Sequence, residues 1–215
     1  QEAVALLDPE STSVEVRWRL ARLCQELADS QAAEEGVKPR ESARARTLLL
    51  EGMTHATAAL KADDNHWAAH KWFGTLLSTT ASLSGTKAVI ESAIVIRLHF
   101  ERAADLNPAD ATVHHLLGLW YFEVSSLSWT MRKLASAIYA TPPSGTFHEA
   151  KLAFSRAEEL AARASNKLML ARCCLQLKDR AGAARWLRDA VAQPPSGRPS
   201  EARAREACEA LLATL

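Results

Sequence analysis

This chain is short of several things, and each shortage excludes a class of protein. It has no run of about 18 apolar residues, so nothing in it reads as a membrane-spanning helix. It has no excess of charge: 26 Lys and Arg face 25 Asp and Glu, a formal net charge of +1. That balance supplies no electrostatic footprint for DNA or RNA. Cysteine is limited to Cys24, Cys173, Cys174 and Cys208, and no pair forms C-x-x-C. The four read as reduced, apolar core residues of a cytosolic domain rather than a disulfide framework or a metal knuckle. Cys173 and Cys174 are adjacent on a predicted helix and so face different ways. Alternation of apolar and polar residues with period two is almost absent, which excludes a sheet. The N-terminal Met is missing as well. The chain opens QEAV, as expected of a piece of a longer protein, with any signal or anchor outside it.

What remains is helix. Hydrophobic residues make up 48% of the chain and recur at i, i+3, i+4 and i+7. Breakers cluster between such segments, at Gly36 to Pro39, Ser84-Gly85, Asn107-Pro108, Pro142 to Gly145 and Pro194 to Pro199. One pattern then repeats. His114-x-x-Leu117-Gly118-x-x-Tyr121 pairs with Ala150-x-x-x-Phe154-x-x-Ala157, and His70-x-x-Phe73-Gly74-x-x-Leu77 pairs with Ile96-x-x-x-Phe100-x-x-Ala103. Leu170-Ala171-x-x-Cys174 pairs with Ala183-x-x-x-Leu187-x-x-Ala190 and ends at Pro195; a divergent first copy runs from Arg17 to Ala59. These are the two halves of tetratricopeptide (TPR) hairpins. The expected fold is all-α, a TPR-like solenoid spanning residues 1–215 as a single domain. A polar insertion lies at Ser30 to Glu41, a helical one within Val124 to Thr146, and Ser200 to Leu215 caps the end. Phe100, Leu117, Gly118, Phe154 and Trp186 are expected in the core, Phe100 and Phe154 between neighbouring hairpins.

Several segments depart from a generic TPR in a shared way. They are HWAAHKWFG (His66 to Gly74), SGTKAVIESAIVIRLHFERAADLNPADAT (Ser84 to Thr112), HHLLGLWYF and SWTMRKLASAIYATPPSGTFHEA (Ser128 to Ala150). From about Asn65 to Leu187 the chain resembles the regulator of microtubule dynamics family, and the Ala140-Thr141-Pro142-Pro143-Ser144 turn is the most specific element. The Ala- and Arg-rich character is similar to a mitochondrial outer-membrane member. The resemblance implies the cytosolic face of that membrane or the cytoplasm, tethering to the endoplasmic reticulum, and phospholipid binding and transport by the TPR domain. It also implies tubulin as a partner. Tethering in the family uses a short acidic FFAT-type motif that binds VAP proteins of the endoplasmic reticulum. No acidic-aromatic run of that kind occurs here, so that partner is expected to be reached through a motif outside this chain.

Catalytic and cofactor signals are absent. His66 and His70 lie four apart, but Trp67 stands where H-E-x-x-H needs Glu and no third ligand is evident; they read as a helix N-terminus and a surface histidine. His114 is expected to face its hairpin partner and His115 to face out. Ser84-Gly85-Thr86-Lys87 lacks the upstream glycine of a P-loop, and Ser84 or Thr86 is expected to cap the next helix. The first helices of TPR hairpins line a groove, here through Trp18, Arg22 and Gln25; Lys71, Thr75 and Ser78; His115, Leu119 and Phe122; Leu168, Arg172 and Leu175. Lys71 alone fits a carboxylate clamp, whereas Leu119, Phe122, Leu168 and Leu175 give an apolar patch of the kind that binds. The inserted helix, Leu127 to Tyr139, carries a stripe of Leu127, Met131, Leu134, Ala135 and Ile138. The helix from Thr86 carries Ile90, Ile94 and Leu98. An apolar tunnel between them would hold acyl chains, lined by Ile94, Leu119, Phe122, Trp129 and Ile138, with Lys71, Arg97, Arg132 and Lys133 meeting the phosphate of an anionic lipid among others. Alternatively the basic insertion rests on an anionic membrane, or it is ordinary helix packing. A non-catalytic binding domain without metal or cofactor follows, taking a phospholipid or, as the alternative, a peptide or tubulin.

Overall fold

A computed structural model describes residues 13–39, 41–194 and 197–215. Pro195, expected to end the last hairpin, lies outside them. Ten helices account for 80% of the described residues, with no strand among them, and neighbouring helices pack in antiparallel pairs. They are α1 (Val14–Glu34), α2 (Ala43–Ala62), α3 (Trp67–Ser84), α4 (Thr86–Leu106), α5 (Ala111–Ser125), α6 (Trp129–Ile138), α7 (Phe147–Leu160), α8 (Ala164–Gln176), α9 (Arg180–Ala192) and α10 (Pro199–Leu212). The chain divides into two compact units. The first holds the residues up to Pro108 with Ala137–Ala140, and the second holds Ala109–Ser136 with Thr141–Leu215.

In the first unit α1 pairs with α2 and α3 with α4. Residues one and two turns apart, Leu20, Ala21, Cys24, Ala28 and Ala32 on α1 and Ala45, Leu49, Ala56 and Ala59 on α2, are buried. Alanines so placed let the helices approach closely. α1 runs to Glu34, so the first five residues of the expected polar insertion, Ser30 to Glu34, are helix. Ser42 caps α2 by accepting from the Ala45 N–H at 3.2 Å. Gly85, at φ 95°, is itself the single residue between α3 and α4. The expected caps do not form: Ser84 Oγ donates back to the Thr80 carbonyl and Thr86 is already helical.

In the second unit α5 pairs with α7 and α8 with α9, and α10 closes against both α8 and α9. The entry to each second helix is built locally. Thr146 and Glu149 form a reciprocal capping box at α7, and Asp179 accepts from the Gly182 N–H at 2.8 Å at α9. The inserted helix is α6, one or two residues shorter at each end than its pattern implies.

The recurrent Gly and Phe of the sequence pattern meet inside each hairpin. A Cβ on Gly74 would lie 2.6 Å from Phe100 Cε1, and one on Gly118 would lie 2.7 Å from Phe154 Cδ1. The phenylalanines therefore fill space within their own hairpins first. Phe154 also reaches Met169, Leu170 and Cys173 on α8. Phe100, Leu117, Gly118 and Phe154 are buried as expected. Trp186 is only half-buried: it bridges two core clusters and its outer edge lies under Arg185, because an indole is too large to be enclosed there. Cys173 and Cys174 join different clusters, as adjacent helical positions must. All four thiols are free and buried.

Candidate functional site

The groove-facing positions of the first unit hold an aromatic and cationic layer. α1 supplies Trp18, and its indole stacks on His66, the N-cap residue of α3, at 6.3 Å. His66 Nε2 meets a Glu15 carboxylate oxygen at 2.8 Å, so it joins α3 to α1 as well as standing at a helix start. Lys71 is 9% exposed. Its Nζ lies 4.4 Å from the Trp67 ring centroid and 5.8 Å from that of Trp72. Indole faces are the strongest cation partners among aromatic side chains, which helps to hold an ammonium so far from water. Trp67 and Lys71 are four apart in the sequence, a spacing that signals this contact. Thr75 donates to the Lys71 carbonyl at 2.8 Å and offers its hydroxyl proton to no ligand. On α4, Ile94 is half-buried, and Arg97 Nε lies 3.7 Å from Glu101 one turn on. His70 is no surface residue. Its Nδ1 meets His99 Nδ1 at 2.8 Å and its Nε2 meets the Asp64 carbonyl at 2.7 Å, because α3 and α4 face each other there.

In the second unit, α5 carries His115, Leu119 and Phe122 on one face. His115 does not face out. Its Nδ1 lies 2.5 Å from Oδ1 of the buried Asn166, and its ring packs edge-on to Phe154 at 5.3 Å. Burial holds its pKa below the usual histidine value, despite the Asn166 hydrogen bond. Leu119 and Phe122 are half-buried and pack against the cluster around Phe154, and Phe122 also meets Phe147 at 5.3 Å. On α8, Leu168 belongs to the core with Ala171, Cys174 and Leu187, and Leu175 packs against it. Arg172 is the exposed member of that set. The expected apolar patch thus splits: α8 gives its leucines to the core, while α5 keeps Leu119 and Phe122 partly open. The reason is α10, whose Ala204 and Cys208 draw α8 into a third packed layer.

α6 gathers Trp129, Arg132 and Lys133. Trp129 is 68% exposed, with Lys133 Nζ 4.0 Å from its ring centroid. Arg132 donates from Nε to the Leu127 carbonyl at 3.1 Å and from Nη2 to the Ser125 carbonyl at 2.8 Å. It satisfies carbonyls that α5 leaves open at its end. Within its stripe, Met131 and Ile138 are half-buried, Ala135 is buried, and Leu134 is exposed. Of the nine expected lipid-site residues, Lys71, Ile94, Arg97 and Ile138 belong to the first unit, and Leu119, Phe122, Trp129, Arg132 and Lys133 to the second.

Three clefts are lined by other residues. The largest, about 800 Å³, lies in the second unit between Ala161–Ala164, the end of α9 and the start of α10. Its lining includes the buried Ala164 and Ala190, with Arg163, Arg198 and Arg205 beside Glu201, Glu206 and Glu209. A cleft of about 360 Å³ includes His114, Tyr121, Glu149 and Leu152, so His114 does face its hairpin partner α7. One of about 400 Å³ in the first unit lies along the outer side of α2, from Leu50 to Lys61. Periodicity does not reveal such clefts, because they arise where helix ends fail to meet.

Among the described residues, one cluster has metal-ligand chemistry. Ligand atoms of Cys24, Glu51 and His55 lie within 4.8 Å of one another. Its surroundings oppose a cation. Arg17 Nη1 lies 3.1 Å from His55 Nδ1; a guanidinium only donates, so Nδ1 accepts and the proton sits on Nε2, which points toward Glu51. Burial, with Glu51 nearby, pushes the Cys24 thiol up to about 11. Purified untagged protein should therefore contain no stoichiometric zinc by plasma emission, and equimolar zinc should not raise its melting temperature. Stoichiometric zinc lost in Cys24→Ser would overturn that expectation.

Sequence comparison adds relatives to this geometry. Residues 2–215 match the family model described as regulator of microtubule dynamics protein 1-3. The chain is 36% identical over 187 residues to regulator of microtubule dynamics protein 1 of Pongo abelii, covering 86% of this chain and 57% of that protein. Against protein 1 of Homo sapiens it is 36% identical over 179 residues, covering 82% of this chain and 55% of that protein. Against protein 3 of Xenopus laevis it is 36% identical over 182 residues, covering 84% and 38%. The chain thus spans a little over half of the protein 1 relatives and a smaller share of protein 3. A match along nearly the whole chain, over helical hairpins in which the patterned Gly and Phe residues interlock, places it in the regulator of microtubule dynamics protein family.

Proposed function

We propose that this chain is a non-catalytic domain that binds a phospholipid and hands it on, as part of a larger protein on the cytosolic face of the mitochondrial outer membrane. Contact with VAP proteins of the endoplasmic reticulum would be made by segments outside it. The observation that carries the reading is α6. It interrupts the α5–α7 hairpin, which needs no such insertion, and it offers Met131, Ala135 and Ile138 as an apolar side. Beside it in sequence, α5 keeps Leu119 and Phe122 only half-buried. Burying an acyl chain contributes about 0.8 kcal/mol per CH₂, so partial cover of two chains suffices for capture. Native mass spectrometry of purified protein should show a co-purifying mass of phospholipid size. A Leu119→Asp, Met131→Asp double variant should lose it, because the carboxylates would have to be desolvated. Leu119 also packs on the Phe154 cluster, so a Met131→Asp single variant, with helicity checked by circular dichroism, guards against simple unfolding. Retained lipid in folded variants would rule this reading out.

A second reading is a scaffold for a peptide or for tubulin. It draws on the relatives' name, regulator of microtubule dynamics, and on Leu168, whose place in the core leaves Arg172 as the exposed groove residue of α8. Co-sedimentation with microtubules that Arg172→Glu abolishes, in protein free of lipid, would favour it.

A further inference from the structure

We infer that the outward side of α6 is a docking surface for an anionic membrane. Trp129 is the one exposed Phe, Tyr or Trp side chain among the described residues, at 68%. Lys133, one turn on, covers its ring from 4.0 Å. Met131, Leu134, Ala135 and Ile138 form a stripe on the opposite side, so Trp129 is not part of an apolar stripe on its way into the core. Among the described residues of the second unit, no other helix packs closely along α6. Charge is one-sided as well. From Val124 to His148 the chain holds Arg132 and Lys133 and no Asp or Glu.

These features select one partner. An acidic polypeptide would satisfy Lys133 and Arg132 and leave Trp129 in water. The interface of a bilayer takes all three. Indole settles at the headgroup level, and the basic side chains that share its face meet lipid phosphates. Arg132 can do so while its guanidinium also ties down the end of α5, which fixes the base of the surface. At ten residues α6 is far too short to cross a membrane, and it lies along the surface. The inference deepens the phospholipid reading and rests on it for its purpose, since a domain that takes up lipid must meet the surface that supplies it.

Flotation of the whole chain with vesicles tests this. The protein should float with phosphatidylcholine–phosphatidylserine vesicles at low salt, less at high salt, and weakly with phosphatidylcholine alone. A Trp129→Glu, Lys133→Glu variant should lose about tenfold or more in vesicle affinity with unchanged helicity, since it removes an interfacial anchor and reverses one of two charges. Equal flotation of variant and wild type would overturn the inference. So would binding to polyglutamate that matches vesicle binding and survives Trp129→Ala, because that points to an acidic protein surface. The two proposals separate cleanly. Protein that carries lipid but does not float refutes docking alone; protein that floats but never carries lipid refutes the lipid reading alone.

Discussion

Phe154→Ala should lower the unfolding free energy by about 3–5 kcal/mol, the range for removing a large aromatic side chain from a closed core. Phe154 is completely buried, and it is held from three sides. Gly118 admits its ring from α5, His115 packs edge-on to it, and Met169, Leu170 and Cys173 close it from α8. The absence of a side chain at residue 118 belongs to the same arrangement. Gly118→Ala places a methyl 2.7 Å from two ring carbons. The ring is enclosed and has nowhere to go, so that change should cost about 1–3 kcal/mol. In a Phe154→Leu background the same methyl finds room, and the penalty should fall by at least about 1 kcal/mol. Urea unfolding of the four proteins closes this cycle. Strict additivity would mean that Gly118 and Phe154 do not share one space.

Acid should weaken the first unit through His99. The Asp64 carbonyl can only accept, so His70 Nε2 carries a proton and His70 Nδ1 accepts from His99 Nδ1–H. Burial, then the neighbouring His70, lowers the His99 pKa from 6.5 to about 4. The unfolded chain therefore binds a proton at a pH where the folded chain refuses it. Stability from this site is complete above pH 6.5 and is lost as pH falls toward 4. With allowance for solvent screening of a half-buried pair, the loss should be about 2 kcal/mol. Burial lowers the pKa of His55 and His115 too, so wild type alone does not isolate the effect. His99→Phe, which keeps an aromatic ring against Phe73 at a site where the rings stand 4.4 Å apart, should flatten the pH dependence by that amount. Parallel stability curves for the two proteins between pH 7 and 4 would contradict the assignment.

The hairpins were legible in the sequence because their rule is local. A Gly or Ala on one helix and a Phe or Leu on the next recur at fixed spacing, and helical geometry alone puts them on facing sides. The groove was harder to read for a physical reason. Periodicity says which face of a helix a residue occupies, but not what the next helix brings to it. Leu168 and His115 occupy equivalent positions in their repeats, yet α10 draws Leu168 into the core while the buried Asn166 engages His115. His70 and His115 looked like outward residues until His99 and Asn166, 29 and 51 positions away, arrived as partners. Lys71 was recognisable as a groove residue, whereas its enclosure by two indoles depended on a rotamer that the pattern does not specify.

The four cysteines carry a consequence for experiment. Burial pushes Cys24 and Cys208 up to about 11 and Cys173 up to about 12, so the folded protein presents almost no thiolate at neutral pH. An alkylating reagent must wait for the chain to open around each sulfur. Cys24 sits in the first unit and the other three in the second. Labelling followed by peptide mass spectrometry thus supplies two internal clocks without mutation: equal rates would report one cooperative opening, and a faster Cys24 would report a first unit that opens by itself.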